Sequence, residues 1–472
     1  MTERLTASDL PIRLDPTIRS QALRVHAALR TGILEGLLPA GLKLPSSRAL
    51  AMQLGMGRNA VVAAYEHLLS DGLVETRQGA GTFVAAGLPA PQAAPSPPMP
   101  PVERPDRGAF ALGRTHVEPA FLARLGAAVR RRIAGASLSD LDYGDPRGSA
   151  HLRQQIARFL AVHRGIRCDP ACIVIVSGTQ HGLRLCANAL LSPGDPVWVE
   201  DPGYDAAKTA LTAAGARLIP VSVDREGIDI AAGIGAAPHA RAVYVTPSHQ
   251  FPTGVTLSMR RRVALLDWAQ RAGAWVFEDD YDSEFRYAGP PLTALAGLSA
   301  ERVIYIGTFA KTLFPGLRLG YLVLPPSAVR PVLAERAAFD RFPQKFLQDA
   351  VADVIADGTV AAHLRRMRTR YAAARELLIE ALPTASGGLL HPDAPDQGLH
   401  LIAYLAPEVD PGCAPWIRDR AGIVARLLSE TRLIPGGREG FVLGFSGHTV
   451  ADLRDGAARL GAATQEAAAV FP

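Results

Sequence analysis

The sequence contains few cysteines, no long apolar run and only a small excess of charge. Four cysteines in 472 residues make a disulfide framework improbable, so we expect reduced thiols and a cytoplasmic location. Cys168 and Cys172 lie four positions apart, but neither a second cysteine pair nor a histidine cluster accompanies them, so we expect no metal site. No apolar run reaches about 18 residues, and we therefore expect no membrane span. The first fifteen residues are charged throughout and contain no apolar segment of an export signal.

The length and composition of the chain indicate a globular protein with more than one domain. Its 472 residues are too many for one ordinary domain and can form two or three hydrophobic cores. Hydrophobic residues make up 48% of the chain and charged residues 20%, and no internal repeat is present. The net charge of +5 permits an acidic partner without requiring one.

The N-terminal part has the pattern of a winged helix-turn-helix. Apolar residues at steps of three and four predict a helix over 17–37. Serines and glycines that suit helix ends bound two further helices, 46–55 and 58–69. Two short strands, 73–77 and 82–85, follow and are joined by a turn that contains glycine. A small helical dimerisation module is the alternative interpretation of this pattern.

In a winged helix-turn-helix, the second helix of the motif enters the major groove of DNA. Arginine and asparagine at its start are the usual readers of guanine and adenine, and a cation on the preceding helix suits a phosphate. The predicted DNA-binding residues are Arg58, Asn59 and Ala60 at the helix start, Arg48 on the preceding helix, and Gln78 and Gly79 at the wing tip.

The run LPAGLKLPSSRALAMQLGMGRNAVVAAYEHLLSDGLVETRQGAGTFV closely resembles the GntR-type DNA-binding module. The motifs LPSSR, GRN and GxGTF carry the resemblance, together with Tyr65. Gly57 departs from the serine that usually caps this helix, and Ala60 replaces a common threonine. The resemblance implies a double-stranded DNA operator as partner.

Residues 86–109 form a predicted linker between an N-terminal domain, 12–85, and a C-terminal domain, 110–472. The segment contains eight prolines and almost no large apolar side chain, so it cannot form a core. We expect an extended spacer that lets the two domains take different relative positions.

The C-terminal part alternates short apolar runs with helical stretches. This alternation predicts an α/β domain with a mostly parallel sheet, in which ligands bind at the carboxyl ends of the strands. The predicted strands are 172–176, 197–199, 242–245, 275–277 and 303–306, and helices are predicted over 182–191, 206–214 and 260–272.

Polar residues follow several of these strands. Ser177 to Gly182 open a helix with hydroxyls and backbone N–H groups, which suits a phosphate or an ordinary capped loop. Tyr204 after the second strand suits stacking on a flat ligand or a half-buried loop position. The acids after the fourth strand, in EDDYD, suit a cofactor's pyridine nitrogen, a metal or a solvated loop.

The stretch 303–319, VIYIGTFAKTLFPGLRL, places Thr308, Lys311 and Arg318 directly after a buried strand. Burial favours the neutral amine of a lysine, which is the form that builds a Schiff base. An arginine fork suits a phosphate. Together these residues suggest pyridoxal 5′-phosphate (PLP) bound to Lys311. A surface loop with two solvated cations is the alternative.

The motifs YGDPRG, SGTQHGL, EDPGY, TPSHQFPTG, EDDYDSEF and GTFAKTLFPGLRLGY resemble those of the fold-type-I aminotransferase family, in particular its MocR/GabR-type regulatory branch. The resemblance implies an α/β aminotransferase-like large domain near 140–335, a smaller α+β domain near 340–472 and a head-to-tail homodimer. It also implies roles for eight residues. Lys311 forms the Schiff base, Asp279 pairs with the pyridine nitrogen, Tyr281 bonds the phenolic oxygen, Tyr204 stacks on the ring, and Thr179, Gln180, Thr308 and Arg318 hold the phosphate.

One departure from the aminotransferase pattern concerns the arginine that usually grips a substrate carboxylate near the C-terminus. Val442 occupies that position in FVLGF, and Arg432 and Arg438 lie nearby. The function expected from these features is a PLP-dependent transcriptional regulator that senses an amine, an amino acid or PLP itself. An active aminotransferase with a DNA-binding head, and a DNA-binding protein with a cofactor-free body, are the alternatives.

Overall fold

The computed structural model describes residue 10, residues 12–86 and residues 108–471. The chain divides into two compact units, Met1–Arg104 and Pro105–Pro472. Of the predicted linker, only residues 86, 108 and 109 belong to the described part, so its extended form lies outside the described residues. The limits 12–85 and 110–472 stay predictions.

The first unit contains three helices followed by an antiparallel strand pair. An apolar core that includes Val25, Leu50, Val61 and Val84 joins them. The first helix is shorter than the predicted 17–37 at both ends, because the Ser20 side chain caps its start and Gly36, with φ of 77°, turns the chain just after its end. The elements are α1 (Gln21–Leu34), α2 (Ser47–Leu54), α3 (Arg58–Ser70), β1 (Val74–Arg77) and β2 (Gly81–Val84).

The tight turn between α2 and α3 follows from the residues at the helix ends. Ser46 caps α2 by accepting the backbone N–H of Ala49 at 3.2 Å. Gly55 ends α2 in the left-handed conformation, with φ of 62°. Gly57 precedes α3 and offers no side-chain cap, which costs a few tenths of a kcal/mol relative to serine. The predicted bounds of both helices agree with the structure within one residue.

The second unit is built on an eight-stranded sheet. The strands are β3 (Ile173–Val176), β4 (Pro196–Asp201), β5 (Arg217–Asp224), β6 (Gly227–Ile228), β7 (Ala242–Val245), β8 (Trp275–Asp280), β9 (Val303–Thr308) and β10 (Gly320–Val323). Their order in the sheet is β3-β10-β9-β8-β7-β4-β5-β6, and the pairs from β9 to β5 are parallel, whereas β10 runs antiparallel to β3 and β9.

Successive side chains of the central strands enter two different cores. Val303 and Tyr305 pack on one face of the sheet, and Ile304 and Ile306 pack on the other. The period of two explains why these strands appear as continuous apolar runs, since both faces are covered. The helices before the C-terminal part are α4 (Pro119–Ala134), α5 (Ala150–His163), α6 (Thr179–Leu190), α7 (Asp205–Ala213), α8 (Ile230–Ala236), α9 (Met259–Ala272), α10 (Leu295–Leu298), α11 (Pro326–Phe339) and α12 (Phe346–Ala356).

The C-terminal part adds a separate four-stranded antiparallel sheet, in the order β11-β12-β14-β13. The long helix of this part packs against the C-terminal helix and the first strand. Every helix in the described residues is too short or too polar to span a bilayer. The elements are α13 (Thr359–Ser386), β11 (Leu390–Asp393), β12 (His400–Leu405), α14 (Ala414–Ala421), β13 (Arg426–Leu427), β14 (Gly440–Gly444) and α15 (Val450–Val470).

Candidate functional site

A cavity of about 320 Å³ lies at the carboxyl ends of the parallel strands. It is lined by all eight residues predicted for the cofactor, which come from the ends of β8 and β9, the starts of α6 and α7, and the loop after β9. The structure therefore brings these residues together, and their individual roles stay predictions. They are Thr179, Gln180, Tyr204, Asp279, Tyr281, Thr308, Lys311 and Arg318.

Lys311 presents a buried amine to this cavity. Burial lowers the pKa of Lys311, and the carboxylates of Asp282 and Asp279 oppose that shift. Its Nζ lies 3.5 Å from the carbonyl oxygen of Gly113, a long contact that leaves the amine weakly held. A lysine in this setting is a better nucleophile at neutral pH than a solvated one.

Asp279 faces the same cavity with one carboxylate oxygen unpaired. Oδ2 accepts a hydrogen bond from the Tyr244 hydroxyl at 2.6 Å, whereas Oδ1 is buried without a partner among the described residues. Burial raises the pKa of Asp279 to about 7. An unpaired buried oxygen fits a ligand that brings its own N–H donor, as a pyridinium ring does.

Another part of the cavity lining suits an anion. Helix α6 begins at Thr179 after Gly178, whose φ of 104° turns the chain so that the first backbone N–H groups are open. Arg318 adopts the left-handed conformation, with φ of 50°, and its Nη1 would lie 3.9 Å from a Cβ built on Gly178. A guanidinium beside a helix N-terminus matches the charge of a phosphate group.

Two tyrosine side chains also line the cavity. The ring of Tyr204 meets Phe251 edge to face, with centroids 5.6 Å apart, and burial raises the pKa of Tyr204 to about 12. The hydroxyl of Tyr281 donates to the carbonyl oxygen of His249 at 3.0 Å and lies 3.0 Å from Nδ1 of the same residue. Burial raises the pKa of Tyr281 as well, so both tyrosines are neutral at physiological pH.

Sequence reasoning did not assign several residues that line the cavity. Thr246 and Phe251 lie in the motif TPSHQFPTG, which carried the family resemblance without a residue role. The others lie outside the motifs or inside a strand, where no local pattern marks them as cavity residues. The unassigned lining includes Leu112, Gly113, Tyr244, Thr246, Phe251, Leu399, His400 and Arg426.

Val442, at the position where an arginine was expected, is fully buried in β14 and belongs to a small apolar cluster with Ile402 and Leu428, against which Phe251 and Tyr404 pack. Neither arginine considered as a substitute lines the cavity. Arg438 stacks over the Tyr404 ring at 4.1 Å, and Arg432 donates to the carbonyl oxygen of Arg438 at 2.8 Å.

Arg426 is the cavity-lining arginine in this region. It lies on β13 directly opposite Val442 and pairs with the carboxylate of Asp205. Asp205 has a second partner in Lys208, whose Nζ lies 3.2 Å away. Release of Arg426 would therefore not leave Asp205 without a cation.

In the N-terminal unit, the predicted DNA-binding residues lie on α2, at the start of α3 and in the turn between β1 and β2. Arg48, Arg58, Asn59, Gln78 and Gly79 are exposed, and Ala60 is half-buried. Nε of Arg58 lies 3.5 Å from the Ser47 hydroxyl, which links the starts of the two helices only weakly. Exposed, loosely held polar side chains at a helix start suit contact with base edges.

Comparisons with known families and proteins agree with both parts of this description. The model of the bacterial regulatory proteins of the gntR family matches residues 21–84, and that of aminotransferase class I and II matches residues 119–460. The chain is 36% identical to the probable rhizopine catabolism regulatory protein MocR of Rhizobium meliloti, over 92% of this chain and 91% of that protein. It is 30% identical to the pyridoxine biosynthesis transcriptional regulator PdxR of Corynebacterium glutamicum, over 95% and 97% of the two chains.

Solved structures support the fold of the second unit. LysN, an alpha-aminoadipate aminotransferase from Thermus thermophilus, superposes with a TM-score of 0.69 at 26% identity, covering 77% of this chain and 93% of that one. An archaeal alanine:glyoxylate aminotransferase gives a TM-score of 0.68 at 25% identity, covering 74% and 89%. The aminotransferase class I and II fold family is PLP-dependent. With a GntR-type DNA-binding head before an aminotransferase-like body, the chain belongs to the MocR-type family of transcriptional regulators.

Proposed function

We propose that this regulator holds PLP on Lys311 and responds to the state of that cofactor. The observation that carries the proposal is one cavity with three matching features: a buried amine, an unpaired carboxylate oxygen and an anion-binding helix start. They correspond to the aldehyde, the pyridine nitrogen and the phosphate of PLP. When bound, the cofactor supplies an electron-poor carbonyl carbon that a primary amine can attack.

The proposed roles follow from what each side chain can donate or accept. Lys311 provides the amine for the Schiff base, and Asp279 accepts the pyridine N–H. Tyr281 donates to the phenolic oxygen of the ring, and Tyr204 stacks on its face. The phosphate is held by Thr179, Gln180, Thr308 and Arg318.

The proposed effector is a small amine or amino acid, or PLP itself. An amine competes with Lys311 for the cofactor, and closure of the smaller C-terminal part over the ligand would change how two DNA-binding heads are held. The Corynebacterium glutamicum relative is a regulator of pyridoxine biosynthesis by name, which supports PLP as the signal. The heads would read a double-stranded operator through Arg48, Arg58, Asn59, Ala60, Gln78 and Gly79.

Residual aminotransferase activity is the second candidate, because the cavity retains Lys311, Asp279 and Arg318 together. Efficient turnover is not expected, because Val442 occupies the position of the arginine that usually binds the substrate carboxylate. Steady formation of keto acids from several amino acids by the purified protein would favour this candidate. A single turnover without further product would favour sensing.

The proposed assembly is a head-to-tail homodimer of two chains, each with domain limits 12–85, 86–109 and 110–472. Fold-type-I aminotransferases are typically dimers. Leu138, Leu141, Tyr143 and Phe339 are exposed apolar side chains on the body, which supports an interface there. Sedimentation equilibrium of the wild type and of Leu138→Asp tests it, and a wild-type monomer at micromolar concentration would contradict it.

Replacement of Lys311 tests the cofactor assignment. After incubation with PLP, the wild type is expected to show a visible absorption band that Lys311→Ala lacks. Lys345→Ala, a change at a lysine that pairs with Asp140 and Asp349, is the matched control and should keep the band. Borohydride reduction followed by peptide mass analysis should locate the label at Lys311. A band that persists in Lys311→Ala, or no band in the wild type, would contradict the proposal.

A further inference from the structure

Behind the cavity lies a buried cluster of His249, Asp282 and Tyr281. His249 follows β7, and its side chain is 1% exposed, as is that of Asp282. Nδ1 of His249 lies 2.9 Å from Oδ2 of Asp282 and 3.0 Å from the Tyr281 hydroxyl. One ring nitrogen therefore serves both a carboxylate and the tyrosine that faces the cavity.

The imidazole ring of His249 is fixed in place by close packing. Gly254 and Gly398 approach it so closely that a Cβ on either residue would crowd the ring, and both glycines have positive φ. Nε2 of His249 is buried and has no partner among the described residues. A buried nitrogen without a hydrogen bond lowers stability. The position of the ring is therefore explained by the contacts of Nδ1 and not by those of Nε2.

The hydroxyl of Tyr281 has one proton, so it can donate only one strong hydrogen bond. In this structure it donates to the carbonyl oxygen of His249 at 3.0 Å. A ligand oxygen in the cavity would accept the hydrogen bond of this hydroxyl instead, and the hydroxyl would then be held in position by Nδ1–H of His249. Asp282 favours the tautomer of His249 with its proton on Nδ1, because the carboxylate accepts a hydrogen bond from Nδ1–H.

Asp282 also acts on Lys311 through space. Burial lowers the pKa of Lys311, and Asp282 is the carboxylate that most strongly opposes this shift, ahead of Asp279. Burial raises the pKa of Asp282, and His249 opposes this shift and so favours the charged form of Asp282. The charged and titratable groups next to His249 are Asp282, Tyr281 and His400. Lys311, Asp279 and Asp280 interact electrostatically with members of this group.

We propose that His249 is a positioning residue that holds the Tyr281 hydroxyl on the cofactor, and that Asp282 orients the His249 ring and places a negative charge near Lys311, so that together they set the protonation of the covalent link at Lys311. The inference rests on the proposed function, because it requires PLP in the cavity. His249 acts on Tyr281 by hydrogen bonding, whereas Asp282 acts on Lys311 by its charge. The two residues therefore affect the link in opposite directions.

The experiment is a pH titration of the visible absorption band of the PLP-loaded full-length protein. Loss of the Tyr281 hydrogen bond weakens the stabilisation of negative charge on the phenolic oxygen, so His249→Gln and Tyr281→Phe should each raise the midpoint by roughly one pH unit. The double variant should move it no further than Tyr281→Phe alone, because both changes remove the same interaction. Asp282→Asn keeps a side-chain oxygen that can accept from Nδ1–H of His249 but removes the anion near Lys311, so it should lower the midpoint.

His363→Gln is the matched control, since His363 is another buried histidine that pairs with a carboxylate, the partly exposed Glu118 at 2.9 Å, and neither residue lines the cavity. It should leave the midpoint unchanged. Thermal melting of each loaded variant separates misfolding from a specific shift, and Asp282→Asn keeps the inference testable if His249→Gln does not fold.

Additive shifts in the double variant, or unchanged midpoints in His249→Gln and Asp282→Asn, would overturn the inference. His249, Asp282 and His400 bring ligand atoms within 4.8 Å of one another, so the titration is repeated with a chelator. A chelator-dependent midpoint would assign the cluster to a metal ion and would also overturn it. A wild type without any visible band would instead refute the proposed function.

Discussion

Asp279 is fully buried, and one of its carboxylate oxygens has no hydrogen-bond partner among the described residues. Its pKa is raised to about 7, so the folded, cofactor-free protein binds a proton there that the unfolded chain has already released between about pH 4 and pH 7. The contribution of Asp279 to stability therefore falls as the pH rises through this window. A cationic ring nitrogen next to Oδ1 would reverse this effect.

Asp279→Asn is expected to stabilise the cofactor-free protein more at pH 8 than at pH 5, by at least about 1 kcal/mol, because one unit of pKa corresponds to about 1.4 kcal/mol. Chemical unfolding of both proteins at the two pH values measures the difference. In the PLP-loaded protein the sign should reverse, since the ring nitrogen loses its anionic partner. An equal effect of the substitution at both pH values would contradict the raised pKa.

Arg426 is expected to bind the carboxylate of an amino acid effector, because it lines the cavity and because Lys208 can retain Asp205 when Arg426 turns away. Arg426→Gln should weaken the apparent affinity for such an amino acid about tenfold or more, which is the loss of one charge-assisted hydrogen bond. Affinity for the corresponding decarboxylated amine should not change. Spectral titration of matched pairs measures both.

Arg432→Gln is the comparison variant, since Arg432 bonds the carbonyl oxygen of Arg438 and does not line the cavity. It should retain the affinity of the wild type. A loss in Arg432→Gln that equals or exceeds the loss in Arg426→Gln would move the carboxylate site to the segment after β13.

At the scale of elements, the central strands and the grouping of eight residues in one cavity could be predicted from the sequence. Strands buried on both faces are continuous apolar runs, and parallel strands bring the residues after them to one edge of the sheet. The prediction of an aminotransferase-like α/β fold with a winged helix-turn-helix head is confirmed by the family matches.

Other elements carried no comparable signal. Strand β5 contains Pro220 and is partly exposed, and β10 directly follows the residues that were assigned to cofactor binding, so neither was predicted as a strand. Arg426 and His400 reach the cavity from β13 and β12, about 90 or more residues after Lys311. Only tertiary packing brings these two side chains to the cavity, and no local sequence pattern predicts their position.

The start of α3 and the preceding helix are expected to make different kinds of DNA contact. Arg58→Ala should weaken operator binding by about 1–3 kcal/mol and non-operator binding by less, as expected for a base contact. Arg48→Ala should weaken both and reduce the dependence of log K on log salt by about one, as expected for a phosphate contact. Fluorescence anisotropy at several salt concentrations measures these values.

Arg30→Ala is the control for this pair, since Arg30 is exposed on α1, outside the predicted DNA-binding residues. It should leave both affinities within error. Equal effects of Arg58→Ala on operator and non-operator DNA would contradict base reading by Arg58.

At the scale of the whole molecule, the proposal requires coupling between two compact units of one chain. A ligand alters DNA binding only if it favours one arrangement of the heads over another, and the size of the effect cannot exceed that preference. Coupling of about 1–3 kcal/mol, which corresponds to about 5- to 150-fold in affinity, is typical of such systems. The cofactor state at Lys311 is the input of this coupling, and operator affinity is its output.

The most direct test is the operator affinity of the full-length protein in three states: cofactor-free, PLP-loaded, and PLP-loaded with a panel of amines and amino acids. Footprinting on the DNA upstream of its own gene and its neighbours supplies the operator. We predict that at least one change of state alters the wild-type Kd about fivefold or more. Lys311→Ala should show one Kd throughout. A single wild-type Kd in all three states, or the same change in Lys311→Ala, would contradict the account.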